Sequence, residues 1–278
     1  MFLKNLFVFI LLLISAIPSF ASSDTQEKQS YLARESEYGK WKTDLRSLAS
    51  MSNEPLLRDV VSFLSRGAAI ALPSGDGTVG VPHAKTTDVV TVLVLFPEDK
   101  NLGENWRKTY EDSQAAANFL PEMNLLILRA ENMAPKVRGM LLGHEGMHAL
   151  AFSAERKLKQ TDQEYCNEEA IAHRLEYEVF RGIKPRFEQL LESEAKKVAS
   201  GMRANNGRIK ASINIDDTAI ESLFGKAESA MDSDYRAIIF INSVIIKTLL
   251  KYYGGNEGAV MERFSSYLCG VYATHGIR

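Results

Sequence analysis

Between Gly139 and Ala154 the chain carries a single acidic or basic side chain besides histidine, Glu145, and it stands within the run His144-Glu145-Gly146-Met147-His148. Residues four apart lie on one face of an α-helix, so His144 and His148 aim two imidazoles at one point. Leu141, Ala151 and Phe152 fall on the same face, which marks it as buried. A lone carboxylate in apolar surroundings is costly and requires a task. Two neutral imidazoles from one helical turn supply half of a tetrahedral zinc shell. Glu145 projects beside the metal without binding it, placed to act as catalytic base and then acid. The pattern is H-E-x-x-H, with a separate reason for each fixed residue type.

The elements around this helix are legible from periodicity. Tyr38, Trp41, Leu45 and Leu48 make an amphipathic stripe in a helix predicted over Thr25 to Met51, and a second helix is expected over Glu54 to Ser65. Val89 to Phe96 and Leu125 to Arg129 read as strands, with Ala116 to Leu120 as a hairpin partner across the turn at Pro121 to Asn124. The motif helix should start near Asn132, with Pro135 in its first turn, and run to Arg156. A further helix covers Glu164 to Phe180, and most of Pro185 to Leu268 is helical with breaks near Asn205 and Gly254. Gly143 and Gly146 weaken the motif helix by roughly 1 kcal/mol each relative to alanine.

At 278 residues with 45% hydrophobic and 24% charged side chains, the chain can bury a real core. Its 33 basic residues against 35 acidic ones leave no surplus for nucleic acid. Gly75, Gly77 and Gly80 spell G-x-G-x-x-G, but Pro82 and then a strand follow where a dinucleotide fold needs a helix, so a plain loop is expected. Lys4, the apolar run Leu6 to Pro18 and the small residues Ser19 and Ala21 compose a signal peptide, cleaved before Ser22. The mature protein is therefore expected in the periplasm or secreted, with no membrane attachment. Ala237 to Leu250 is interrupted by Asn242, Ser243 and Lys247 and reads as a core helix. An exported compartment permits Cys166 and Cys269 to pair, while sequence leaves open whether they do.

The motif segment resembles the zincin metallopeptidases. Ala151 and Ala154 occupy the places where the metzincin branch has a glycine and a third histidine. Cys166-Asn167-Glu168-Glu169-Ala170-Ile171-Ala172-His173 instead resembles the gluzincin branch, which takes its third ligand from a glutamate on the next helix. That resemblance implies Glu169 as ligand, because the small Ala172 follows three residues later and lets the two helices pack closely. Glu168, which follows Asn167 at a spacing typical of the branch, stays open as the alternative. His173 holds a place where gluzincins carry an acid that supports a ligand; it could equally be solvated. The resemblance further implies that Leu125 to Arg129 is a sheet edge on which an extended peptide pairs. Tyr165, His173, Tyr177 and Tyr235 are candidates to stabilise an oxyanion. Met147 departs from the small residue usual before the second histidine, so packing under the helix must differ.

The expected fold class is α+β: a small zincin-like sheet, the H-E-x-x-H helix and a largely helical C-terminal half. Residues 1–21 are read as the signal peptide, 22–66 as an N-terminal helical segment and 67–278 as the zincin-like domain. The expected function is an exported metallopeptidase with one Zn2+ per chain on His144, His148 and Glu169, acting on peptide or protein substrates. From another class comes an exported helical binding protein whose zinc site is structural or vestigial. A third expectation is latency, with the Thr25 to Met51 helix covering the cleft.

Overall fold

The computed structural model describes residues 20–74, 78–80, 89–99, 115–155, 161–183, 187–204, 208–209, 213 and 217–275. The predicted signal peptide lies outside them except for Phe20 and Ala21, where the first helix begins. Gly75 and Gly77 of the glycine loop also lie outside.

Helix α1 (Phe20–Met51) buries Tyr38, Trp41, Leu45 and Leu48, the stripe expected from their spacing. Helix α2 (Pro55–Ser65) starts with proline in its first turn, and the Glu54 side chain caps it by accepting from the Leu56 N–H. Strand β1 (Ala68–Ile70) enters the sheet, and β2 (Leu72–Pro73) pairs antiparallel with β3 (Val79–Gly80). Strands β4 (Val90–Leu95), β5 (Ala117–Leu120) and β6 (Leu125–Arg129) complete a four-stranded sheet of order β1-β4-β6-β5. β1, β4 and β6 run parallel, and β5 lies antiparallel to β6. The β5–β6 turn passes through Asn124 in the left-handed region, φ 46°, which asparagine tolerates.

This order corrects one expectation. Leu125–Arg129 is not an edge; β6 is flanked by β4 and β5, and the edges are Ala117–Leu120 beside it and Ala68–Ile70 on the far side. The side chains carry the reason: Leu125 to Leu128 is an unbroken apolar run, buried on both faces. Ala117-Asn118-Phe119-Leu120 alternates buried and half-buried, as an edge strand does.

Among the described residues six helices follow: α3 (Pro135–Glu155), α4 (Asp162–Ile183), α5 (Phe187–Ala204), α6 (Asp217–Phe224), α7 (Ala230–Tyr252) and α8 (Glu257–His275). The molecule is thus mostly helical with a small mixed sheet. One sheet face, through Val90, Val92, Val94, Leu126 and Leu128, joins the large helical core. The other carries a small cluster of Ala71, Leu93, Leu95, Leu125 and Ile127. That large core runs from Tyr38 to Leu268, so segments 22–66 and 67–278 share it, and the boundary between them is one of sequence only. Phe240, Val244, Ile245, Ile246 and Leu249 of α7 are buried in the same core. Among the described residues no helix is long and apolar enough to cross a membrane.

Three glycines explain how α3 is seated. A methyl at Gly139 would stand 2.7 Å from Leu48 Cδ1 and 3.0 Å from the Asp44 backbone carbon. One at Gly146 would stand 2.7 Å from Val60 Cγ1 and 2.9 Å from Leu64 Cδ1. At Gly143 the nearest atom, Leu45 Cδ1, is 3.4 Å away. These positions lie on the helix face opposite His144 and His148, so α1 and α2 back the motif helix and do not cover its histidines. The latency expectation therefore lacks its cover.

Candidate metal centre

The seating of α3 turns His144 and His148 toward α4, whose Glu169 meets both. His144 Nε2 lies 3.3 Å from Glu169 Oε2, and His148 Nε2 lies 3.4 Å from Glu169 Oε1. All three side chains are buried, and their ligand atoms lie within 4.8 Å of one another. A divalent ion with N and O bonds of about 2.0–2.1 Å in tetrahedral geometry sets neighbouring donors ~3.3–3.4 Å apart. His148 Nε2 is buried without a hydrogen-bond partner of normal geometry among the described residues, as a ring nitrogen kept for a metal must be. These residues can hold a metal ion.

The opposite ring nitrogens are held by other carboxylates. His144 Nδ1 lies 2.9 Å from Glu176 Oε1, and His148 Nδ1 lies 2.7 Å from Glu168 Oε1. With the carboxylates accepting, each Nδ1–H donates and each Nε2 lone pair faces Glu169; such partners orient metal-ligating histidines. Glu168 thus holds the Nδ1 side of His148, and Glu169 is the carboxylate that both Nε2 atoms face. His173 is buried and not solvated: its Nδ1 lies 2.7 Å from Glu176 Oε2.

Electrostatics bind the cluster together. Burial opposes a charged His144, yet the carboxylates of Glu176 and Glu169 outweigh it and hold the imidazole well above its ordinary pKa. Burial works against His148 in the same way, and Glu169 and Glu168 carry it up to about 9. Burial also opposes charge on Glu169 and Glu176, but the histidines hold Glu169 well below the usual carboxylate range and Glu176 down to about 2. A bound cation takes the place of protons in such a cluster. Burial raises Glu145, tempered by His144 and His148. The backbone N–H of Phe119, on the edge strand, donates to the Glu145 carboxylate.

Hydroxyls ring the centre. Tyr272 Oη donates to Glu169 Oε2 at 3.3 Å, and the Tyr165 ring, which is 41% exposed, lies 5.9 Å from that of Tyr272. Tyr235 is raised well above its ordinary pKa by burial and by Glu176, Glu145 and Glu169. Tyr177 lies elsewhere, its ring under the Arg174 guanidinium at 5.0 Å. Cys166 and Cys269 form a disulfide, Cα–Cα 5.6 Å, joining α4 to α8. Glu169 and Tyr272 each follow their cysteine by three residues, one helical turn, so the bond clamps the two helices beside their contact.

Sequence reasoning missed Glu176 and Tyr272. Glu176 lies seven residues beyond Glu169, two turns along the same face of α4, a spacing that could have found it. Tyr272 carried no such signal, being 103 residues from its partner. Comparison with known protein families, curated proteins and solved structures finds no match to this chain.

Proposed function

We propose that the protein is an exported zinc-dependent metallopeptidase of gluzincin type, its signal peptide removed before Ser22. One observation carries the reading: two imidazoles four residues apart on α3 share the two oxygens of one carboxylate on α4, with Glu145 beside them. His144, His148 and Glu169 would hold the zinc, leaving one position open. When bound there, zinc supplies Lewis acidity toward a scissile carbonyl and acidifies water at its open position.

The chain's own residues do the rest. Glu145, whose burial raises its proton affinity, takes a proton from the attacking water and passes it to the leaving amine. Glu168 and Glu176 keep the two ligand imidazoles in the tautomer that presents Nε2. The peptide's place is the edge strand β5. The Arg129 N–H bonds to Ala116 O, so the alternation along the pair turns the backbone groups of Ala117 and Phe119 outward. An extended peptide pairing there passes Glu145, which already accepts from the Phe119 N–H.

Zinc content of the mature chain, with Glu145→Ala as control, tests the reading. The expected result is one zinc per chain in both proteins, with peptide hydrolysis lost in the variant. A zinc-loaded wild type with no hydrolysis across a peptide library would leave the structural-site binding protein as the better account. Of the two residues that could complete a closed shell, Cys166 and His173, Cys166 is engaged in the disulfide.

A further inference from the structure

The zinc site proposed above employs His144, His148, Glu169 and Glu145, and it leaves a third buried imidazole without a task. His173 lies on α4 one turn beyond Glu169 and is 6% exposed. Its Nδ1–H donates to Glu176 Oε2 at 2.7 Å, while Glu176 Oε1 accepts from His144 Nδ1–H at 2.9 Å. A single carboxylate therefore aligns two rings, whose centroids lie 4.8 Å apart. In each ring the edge away from Glu176 is Nε2, and both Nε2 atoms face Glu169 Oε2, His144 at 3.3 Å and His173 at 3.9 Å. Phe264 packs edge-on to the His173 ring at 6.3 Å and limits its rotation.

Two simpler assignments fit less well. As a fourth ligand, His173 Nε2 should stand from Glu169 as the other two do, yet 3.9 Å exceeds their 3.3 and 3.4 Å. A second metal between His144, His173 and Glu176 would displace two N–H donors that already satisfy both oxygens of Glu176. Such a bridge is a hydrogen-bonded unit that fixes the direction of the remaining nitrogen, and buried polar atoms take partners.

The geometry points to His173 as the group that faces the open position of the metal, with Glu176 as the positioning residue that aligns it together with ligand His144. This rests on the reading of a metal with one exchangeable position. With Nδ1–H given to Glu176, His173 presents the Nε2 lone pair there, so the ligands it would meet carry an N–H or O–H at the metal, such as water or the N–H of a hydroxamate.

The test uses the cobalt-substituted and zinc-loaded protein, with acetohydroxamate as the probe of the open position. His173→Asn retains an amide near the place of Nδ1, and so its bond to Glu176, but removes Nε2. His173→Gln reaches toward the place of Nε2. Acetohydroxamate should shift the visible absorption of the wild-type cobalt protein. Its affinity should fall about tenfold in His173→Asn, as for loss of the hydrogen bond that Nε2 accepts from the hydroxamate N–H, with part recovered in His173→Gln through its amide oxygen. Zinc affinity, from competition with a chromophoric chelator, should be unchanged in His173→Asn and about tenfold or more weaker in Glu176→Gln.

Wild-type hydroxamate affinity in a folded His173→Asn protein overturns the assignment. So does loss of zinc in that variant comparable to His148→Ala, which would make His173 a ligand. A wild-type cobalt spectrum indifferent to acetohydroxamate means a closed site and sinks both this assignment and the peptidase reading. The expected hydroxamate pattern in a protein that cleaves no peptide supports His173 while overturning the peptidase reading alone.

Discussion

The two faces of α3 are built on opposite terms. The face toward α1 and α2 is seated through Gly139, Gly143 and Gly146, where what matters is the absence of side-chain atoms. The face toward α4 is seated through His144 and His148, where what matters is which carboxylate each ring nitrogen faces. The first is a steric requirement, met by shape and indifferent to charge. The second is electrostatic: burial is tolerated because imidazole and carboxylate compensate one another, and removal of one member leaves another uncompensated. Substitutions on the back face should therefore act on stability and spare metal binding, and those on the front face should cost metal binding first.

The largest effect expected is on the front face. His148→Ala should abolish zinc binding, read as metal content per chain after dialysis; retention of stoichiometric zinc would erase the distinction between the faces. Glu169→Gln should weaken zinc far more than Glu168→Gln, because Glu169 meets both histidines while Glu168 supports one. For Glu168→Gln the expected loss is about tenfold. Equal losses would return the choice between them to where sequence left it.

Removal of the disulfide by Cys166→Ser with Cys269→Ser should cost about 2–5 kcal/mol in urea unfolding, since it closes a loop of 103 residues. The back face ranks next. Gly139→Ala should destabilise by about 1–3 kcal/mol, because the new methyl meets the Asp44 backbone at 3.0 Å as well as Leu48. Gly146→Ala meets only side-chain ends, of Val60 and Leu64, and should cost less. Gly143→Ala, with ordinary contacts at 3.4 and 3.5 Å, should be neutral or gain up to ~1 kcal/mol from helix propensity. All three should keep zinc affinity, and a Gly143→Ala protein as unstable as Gly139→Ala would refute the steric account. The smallest effect is that of Tyr272→Phe, which removes one hydrogen bond to Glu169 and should cost about 1 kcal/mol of zinc affinity.

The same contrast separates what could be read from the chain. Helix α1, the Glu54 start of α2, strand β4 and the proline-initiated α3 follow from spacing and local chemistry, each within a few residues of its expected bounds: α1 begins at Phe20 rather than Thr25, and α3 at Pro135 rather than near Asn132. The edge of the sheet did not follow, because strand order depends on pairings between segments far apart in sequence. Yet the composition of Leu125 to Leu128, apolar without alternation, held the clue to an interior strand. Gly143 and Gly146 read as weaknesses of the helix, and only the nearness of Leu45, Leu57, Val60 and Leu64 shows their use.

Sequence by itself determined that two imidazoles and a carboxylate share one turn of a buried helix, since that depends only on the 3.6-residue period and local hydrophobicity. It also narrowed the carboxylate that meets both histidines to two adjacent glutamates. Adjacent residues on a helix point about 100° apart, so the choice between Glu168 and Glu169 belongs to the rotation of α4 against α3, which long-range packing sets. The pairing of Cys166 with Cys269, the reach of Tyr272 to Glu169 and the bridge of Glu176 between His144 and His173 are likewise decided only when the helices are packed. Contacts of that kind depend on where whole elements come to rest, and no local pattern encodes it.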